Sequence, residues 1–305
     1  MSPLCWGMGM NNREGFMRKH LSTIILVGIF FIGLSVLLYP TISNYWNNKV
    51  QTKVVANYDQ VVEDMSSDET QALLGEAQAY NERLRNLSFP LTDYKQAGEY
   101  ESVLAIPDTE IMGYIDIEKI KVELPIYHGI SPAVLNVACG HLPGSSLPIG
   151  GLGTHAVLSA HRGLPSAKLF TDLDQLVEGD IFTITVLKQK ITYEVDQILI
   201  VEPKEVQNLT IEKDKDYCTL LTCTPYGINT HRLLVRGHRI DNIDDYPKLV
   251  VPNDAIRIDP LVVAPVVAVP MLLILLIWMT FKYRHKKSTK EENTIDKIFK
   301  SENGE

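Results

Sequence analysis

Two long runs without a charged residue constrain this chain more than any other feature. Residues 21–39 (LSTIILVGIFFIGLSVLLY) and 261–281 (LVVAPVVAVPMLLILLIWMTF) hold 19 and 21 residues, and neither contains Asp, Glu, Lys or Arg. A helix rises about 1.5 Å per residue, so each run is long enough to cross a hydrocarbon core of about 30 Å. A buried helix of a soluble domain fits poorly at that length. Pro265 and Pro270 weaken the second helix without excluding it, because membrane helices tolerate proline. The first run ends Leu37-Leu38-Tyr39-Pro40 and lacks the small-x-small exit of a cleaved signal peptide. It is expected to stay as an anchor. Met17, just ahead of Arg18-Lys19-His20, is an alternative start of translation.

The flanking charges set an orientation. Arg13, Arg18 and Lys19 precede the first run, and Lys282, Arg284, Lys286, Lys287 and Lys290 follow the second. Basic residues stay on the cytoplasmic side, so both ends are expected inside and residues 40–260 outside. The protein is thus expected to be a multi-pass protein of the cell membrane. The outer segment carries 19 basic and 31 acidic side chains, a net −12, within a chain of net −8. That balance argues against a nucleic-acid binder. Of four cysteines, Cys139, Cys218 and Cys223 fall outside; an odd number there points to at least one free thiol. Cys139 and Cys218 are read as structural, with a disulfide between them as an alternative.

The expected organisation runs as follows. Residues 1–20 form a cytoplasmic N-terminus, 21–39 a membrane helix and 40–86 an extracellular helical segment. Within the last, Val50, Val54, Tyr58, Val61, Val62 and Met65 recur at helical spacing, and Ser66-Ser67-Asp68-Glu69 reads as a stop followed by a capping box. Residues 87–111 lack periodicity and form a lid-like loop. Residues 112–241 hold seven short β-rich runs between turn residues, the texture of a barrel or sandwich. A linker at 242–260, the second membrane helix at 261–281 and a polar tail at 282–305 complete the chain. The fold class is mainly β, with N-terminal helices and two flanking membrane helices.

Chemistry concentrates at two strand ends. The run Tyr217-Cys218-Thr219-Leu220-Leu221-Thr222-Cys223 is broken by Thr224-Pro225-Tyr226-Gly227, and Arg232 opens the next run. Paired as a hairpin, these strands put Cys223 opposite Arg232. A cation beside a thiol favours thiolate, and it can stabilise an oxyanion during acyl transfer. The plain alternative is a core cysteine and a surface arginine. His161 follows the strand Ala156-Val157-Leu158-Ser159-Ala160 and sits at its exit. A zinc site from Cys139, His141, His155 and His161 is the other alternative, although no compact metal-ligand spacing is present.

Taken together, these motifs resemble the sortases. The carriers are Ser159-Ala160-His161-Arg162-Gly163, Thr219-Leu220-Leu221-Thr222-Cys223, and Arg232 nine residues after the cysteine. Gly140-His141-Leu142-Pro143-Gly144 is similar to the family's loop before the histidine strand, and Met112-Gly113-Tyr114-Ile115 to its opening strand. The likeness covers roughly residues 112–241. The N-terminal helical pair, the long pre-barrel loop and the second membrane span are similar to class C sortases, the pilin polymerases of Gram-positive bacteria. One departure stands out: class C enzymes carry an Asp-Pro-aromatic lid motif, and 87–111 contains none.

The resemblance implies a closed β-barrel and a transpeptidase acting on LPxTG-type sorting signals. It implies Cys223 as nucleophile, His161 as general base and acid, and Arg232 as the residue that orients substrate and steadies the oxyanion. Ser159 and Thr222 are carried over as substrate-binding residues. It implies pilin subunits with an acceptor Lys as partners, no metal and no organic cofactor. The rival readings are a housekeeping sortase that anchors proteins to a cell-wall precursor, a hydrolytic cysteine protease, and a non-catalytic membrane-anchored assembly protein.

Overall fold

The computed structural model describes residues 11–242, 268–275 and 277–278. The expected linker and cytoplasmic tail lie outside these residues except for Asn242. Two compact units emerge, one from residues 1–41 with 253–305 and one from 42–252. In the first unit, residues 268–275 and 277–278 of the second apolar run are helical. Among the described residues one helix is long and apolar enough to cross a membrane; it falls within α1 (Asn11–Asp64). Helix α1 carries Pro40 inside it rather than breaking there, so the expected boundary at residue 40 is not a helix end.

The second unit starts from helices. Helix α1 ends at Asp64, and α2 (Ser67–Arg85) begins behind a capping box: the Ser66 N–H donates to Glu69 Oε2 at 2.9 Å and the Glu69 N–H to Ser66 Oγ at 3.2 Å. The two helices bury one face each against the barrel, through Tyr58 and Val62 of α1 and through Leu74, Ala77, Tyr80 and Leu84 of α2. Each buried side chain of this size stabilises by about 1.5–3 kcal/mol relative to exposure. Polar groups fix the register. The Tyr58 hydroxyl donates to Met112 O (3.1 Å) and accepts from the Leu187 N–H (2.7 Å). Asn81 accepts from the Leu147 N–H (2.8 Å) and donates to Leu147 O (3.2 Å), which pins the loop ahead of the histidine strand.

Residues 87–111 are not an open loop. They form a single-turn helix α3 (Pro90–Asp93) and two 3-10 turns at Tyr94–Ala97 and Tyr100–Ser102. Tyr100, Val103, Leu104 and Ile106 are buried in the main core.

Eight strands then close a barrel: β1 (Ile111–Ile117), β2 (Val122–His128), β3 (Cys139–His141), β4 (Thr154–Ser159), β5 (Ile181–Val186), β6 (Gln189–Val201), β7 (Asp216–Thr224) and β8 (His231–Ile240). A further single helical turn, α4 (Pro132–Leu135), separates β2 from β3. The order around the barrel is β1-β2-β3-β4-β7-β8-β6-β5. The β2–β3 and β4–β7 pairs are parallel and the others antiparallel. Seven strands match the seven β-rich runs of the sequence. The eighth, β3, has only three residues, too few to show an alternation. Its residues Cys139-Gly140-His141 are all buried.

Inside the barrel lie Ala156, Leu158, Cys218, Leu220, Leu233 and Val235. A second, smaller cluster lies on the opposite face of β4, β7 and β8, around Val157, Leu234 and the neighbouring Val201 and Leu209. Cys139 and Cys218 are buried free thiols, not a disulfide. Burial pushes both thiols well above their ordinary value.

Candidate active site

Strand pairing builds the site. Strands β7 and β8 form the expected hairpin, and Cys223 is the direct register partner of Arg232. Strand β4 runs parallel to β7 on its other side, with Ser159 beside Leu221. Past the end of β4 at Ser159, the chain stays beside β7 as far as Ala160, the residue before His161. The continuation is held by hydrogen bonds: the Ala160 N–H donates to Leu221 O (3.2 Å) and Thr222 Oγ1 donates to Ala160 O (2.8 Å). Cys223 and Arg232 are thus paired across β7 and β8, and His161 lies two residues past the end of β4, the strand on the other side of β7.

Alternation decides which way Cys223 faces. Leu220 points into the barrel and Leu221 belongs to the outer cluster. Two residues on, Cys223 shares the outer face with Leu221. The candidate groove thus lies on the outer wall at the end of β7, not inside the barrel mouth. Cys223, His161 and Arg232 are all partly exposed. Among the described residues no hydrogen bond joins the thiol, the imidazole and the guanidinium. Catalytic contacts of this kind commonly tighten only when substrate binds. Partial burial holds His161 below its ordinary value of 6.5, which favours the neutral imidazole at neutral pH. The Arg232 guanidinium donates to Asn229 O (3.3 Å) and His231 O (3.0 Å), so the hairpin loop orients it.

The two carried-over substrate residues part company. Ser159 is buried and lies on the Cys223 face one step deeper. Thr222 is buried on the opposite face, with its hydroxyl committed to Ala160 O. The structure therefore does not bring Thr222 to the groove; alternation along β7 points it inward while Cys223 points out. The zinc alternative also loses its ligands. Both ring nitrogens of His141 are engaged, with Tyr100 (2.9 Å) and Ser146 O (2.8 Å). Those of His155 are engaged with Thr210 O (2.9 Å) and Thr219 Oγ1 (2.7 Å).

Arg162 had no role in the sequence reading beyond its place in the motif. Its guanidinium pairs with Asp174 at 2.6 Å and reaches Thr224 Oγ1 at 3.4 Å. It therefore ties the loop after His161 to the residue after Cys223. On the same side, the Tyr226 ring lies against Gly163, whose missing Cβ would sit 3.1 Å from it. Gly163 also has φ +79°, which glycine alone adopts without strain. The 87–111 segment approaches the same wall. Leu91 packs into the outer cluster with Leu142, Leu199 and Leu221, while Phe89 is exposed. Only a glycine at position 144 admits Leu91 so closely, since a Cβ there would lie 2.6 Å from Leu91 Cα.

A closed barrel of this connectivity, with a cysteine paired to an arginine at one strand end, matches the sortases. The sortase domain model matches residues 115–240. Sortase C1 from Streptococcus agalactiae is 48% identical in the aligned region, with TM-score 0.57, over 62% of this chain and 99% of that one. Sortase C of Clostridium perfringens, solved with the C-terminal cell wall sorting motif, is 43% identical with TM-score 0.56, over 63% of this chain and 100% of that one. Streptococcus pneumoniae sortase C, whose structure was described for catalysis and pilin substrate specificity, is 44% identical with TM-score 0.56, over 62% of this chain and 97% of that one. The chain belongs to the sortase family and is a transpeptidase. Its structural neighbours are class C sortases.

Proposed function

We propose that this protein is a membrane-anchored pilin polymerase. It cleaves an LPxTG-type sorting signal between Thr and Gly and joins the freed Thr carbonyl to a Lys of the next pilin. The observation that carries this reading is the direct pairing of Cys223 with Arg232 across β7 and β8, with His161 following the end of β4 on the other side of β7. Neutral His161 takes the proton of Cys223, and the thiolate attacks the Thr carbonyl carbon. Arg232 faces the oxyanion that develops there. As the C–N bond breaks, His161 returns its proton to the leaving Gly amine. The thioester is then attacked by a Lys ε-amine, an isopeptide bond forms and the Cys223 thiol is restored.

The surroundings support the subgroup. Solved class C relatives include one determined with the C-terminal cell wall sorting motif and one described for pilin substrate specificity. Two apolar runs bracket the catalytic unit. Tyr39, Tyr45 and Trp46 are exposed at the end of the first, as aromatic side chains at a membrane interface are. Such anchorage confines enzyme and membrane-held pilin to one surface and raises their effective concentration. Residues 87–111 serve as the lid, with Leu91, in the same apolar cluster as Leu221, in place of an Asp-Pro-aromatic anchor.

The test is made in the source bacterium. With Cys223→Ala at the native locus, cell-wall extracts are run on a denaturing gel. The high-mass covalent ladder should vanish while most other surface proteins stay anchored. General release of surface proteins would instead make the enzyme a housekeeping anchor.

A further inference from the structure

The loop that follows His161 is held in an unfavourable conformation, and the hold comes partly from outside the barrel. The loop closes on itself where the Phe170 N–H donates to His161 O at 3.1 Å. Directly before Phe170, Leu169 adopts φ +43°. A left-handed leucine is disfavoured and persists only where its surroundings over-determine it. On the far side of Leu169, the Lys168 N–H donates to Asn44 Oδ1 at 2.8 Å. One turn along α1, Asn47 Nδ2 donates to Ser166 O at 2.7 Å. Two asparagines at spacing i, i+3 on α1 thus satisfy two backbone groups of the histidine loop.

Ala167, Leu169 and Phe170 of the same stretch are buried in the main core, and the two asparagine bonds add polar anchors to that packing. Beside them a cleft of about 140 Å³ opens, lined by Asn48, Gln51, Lys168 and Leu169 among others. Neighbouring Tyr45 and Trp46 are exposed. Asn44 lies five residues after the last residue of the first apolar run.

We propose that Asn44 and Asn47 are positioning residues for His161: they hold the 166–168 backbone so that Leu169 stays left-handed and Phe170 keeps its grip on the His161 carbonyl. The proposal rests on the reading of His161 as the general base. Without the two side chains, the loop relaxes and the imidazole shifts relative to Cys223. The chemistry of the thiol itself is untouched.

The experiment is a cycle on the full-length protein in lipid vesicles. Its readout is the rate of thioacyl formation on Cys223 with a synthetic Leu-Pro-x-Thr-Gly peptide. Asn44→Leu with Asn47→Leu should slow acylation about tenfold, as expected for two lost backbone contacts. In a His161→Ala background the same pair should cost nothing further, because residues that act through one group are not additive. Asn44→Asp, which keeps an acceptor for the Lys168 N–H, should recover most of the rate lost in Asn44→Leu. Equal losses in both backgrounds would overturn the proposal, since a general weakening of the fold does not depend on His161. So would a wild-type rate in the Leu pair while His161→Ala is impaired. A wild-type rate in His161→Ala would instead overturn the reading of His161 on which the proposal rests.

Discussion

Arg232 shows how much chemistry a single register position can hold. It pairs with Cys223 across the hairpin, and its Nη1 donates to the carbonyls of Asn229 and His231. A planar guanidinium can make those bonds and still present an edge to an oxyanion; a lysine ammonium is a point charge that cannot do both. Arg232→Lys is therefore expected to lower kcat/KM for thioacyl formation at least tenfold, and a wild-type value would remove the forked role. His161 supplies a second prediction. Burial holds its ordinary value of 6.5 down, so the neutral base survives to lower pH than in a free histidine. The acid limb of kcat/KM is expected to have its midpoint below 6.5. A midpoint above 6.5 would mean that the titrating group is another residue. The pairing of Cys223 with Arg232 was legible because both sit at the strand ends of one hairpin. The face of Thr222, opposite that of Cys223, was not legible, because proximity in sequence does not fix a face. Arg162, Asn44 and Asn47 carried no signal, since their partners Thr224, Lys168 and Ser166 are distant in sequence or are backbone groups.

Among the elements, the 87–111 segment is the one whose character the sequence hid. It has no period, yet Tyr100 anchors it. The Tyr100 hydroxyl accepts from the Gly129 N–H (2.9 Å) and donates toward His141 Nδ1 (2.9 Å), while His141 Nε2 faces Ser146 O (2.8 Å). Burial pushes His141 down to about 4. The unfolded chain, with an ordinary value of 6.5, takes up that proton first as pH falls, so stability declines between about 6.5 and 4. The contribution is roughly 3 kcal/mol across the whole window. Denaturant unfolding at pH 7 and pH 5 should show this loss. It should be smaller in His141→Gln, which does not titrate; an identical pH slope in the variant would contradict the assignment. The helices and seven of the strands were legible from spacing, capping and alternation. The order of strands around the barrel was not, because parallel β4–β7 pairing joins segments more than fifty residues apart. Nor was β3, which is too short to have a period.

Over the whole molecule, composition spoke about location before it spoke about activity. Uncharged runs, basic flanks and a segment of net −12 between them are read directly from residue types. What composition cannot carry is the meeting of three strands, which depends on long-range pairing. From that meeting we propose that acyl transfer passes through a thioester on Cys223. The most direct measurement is the intact mass of the full-length protein after brief exposure to an LPxTG-type peptide, followed by fragmentation to locate the adduct. A single acyl adduct on Cys223 that transfers to an added Lys-bearing pilin peptide, with none formed by Cys223→Ala, is the predicted result. An adduct on another residue, or isopeptide product made by Cys223→Ala, would contradict it.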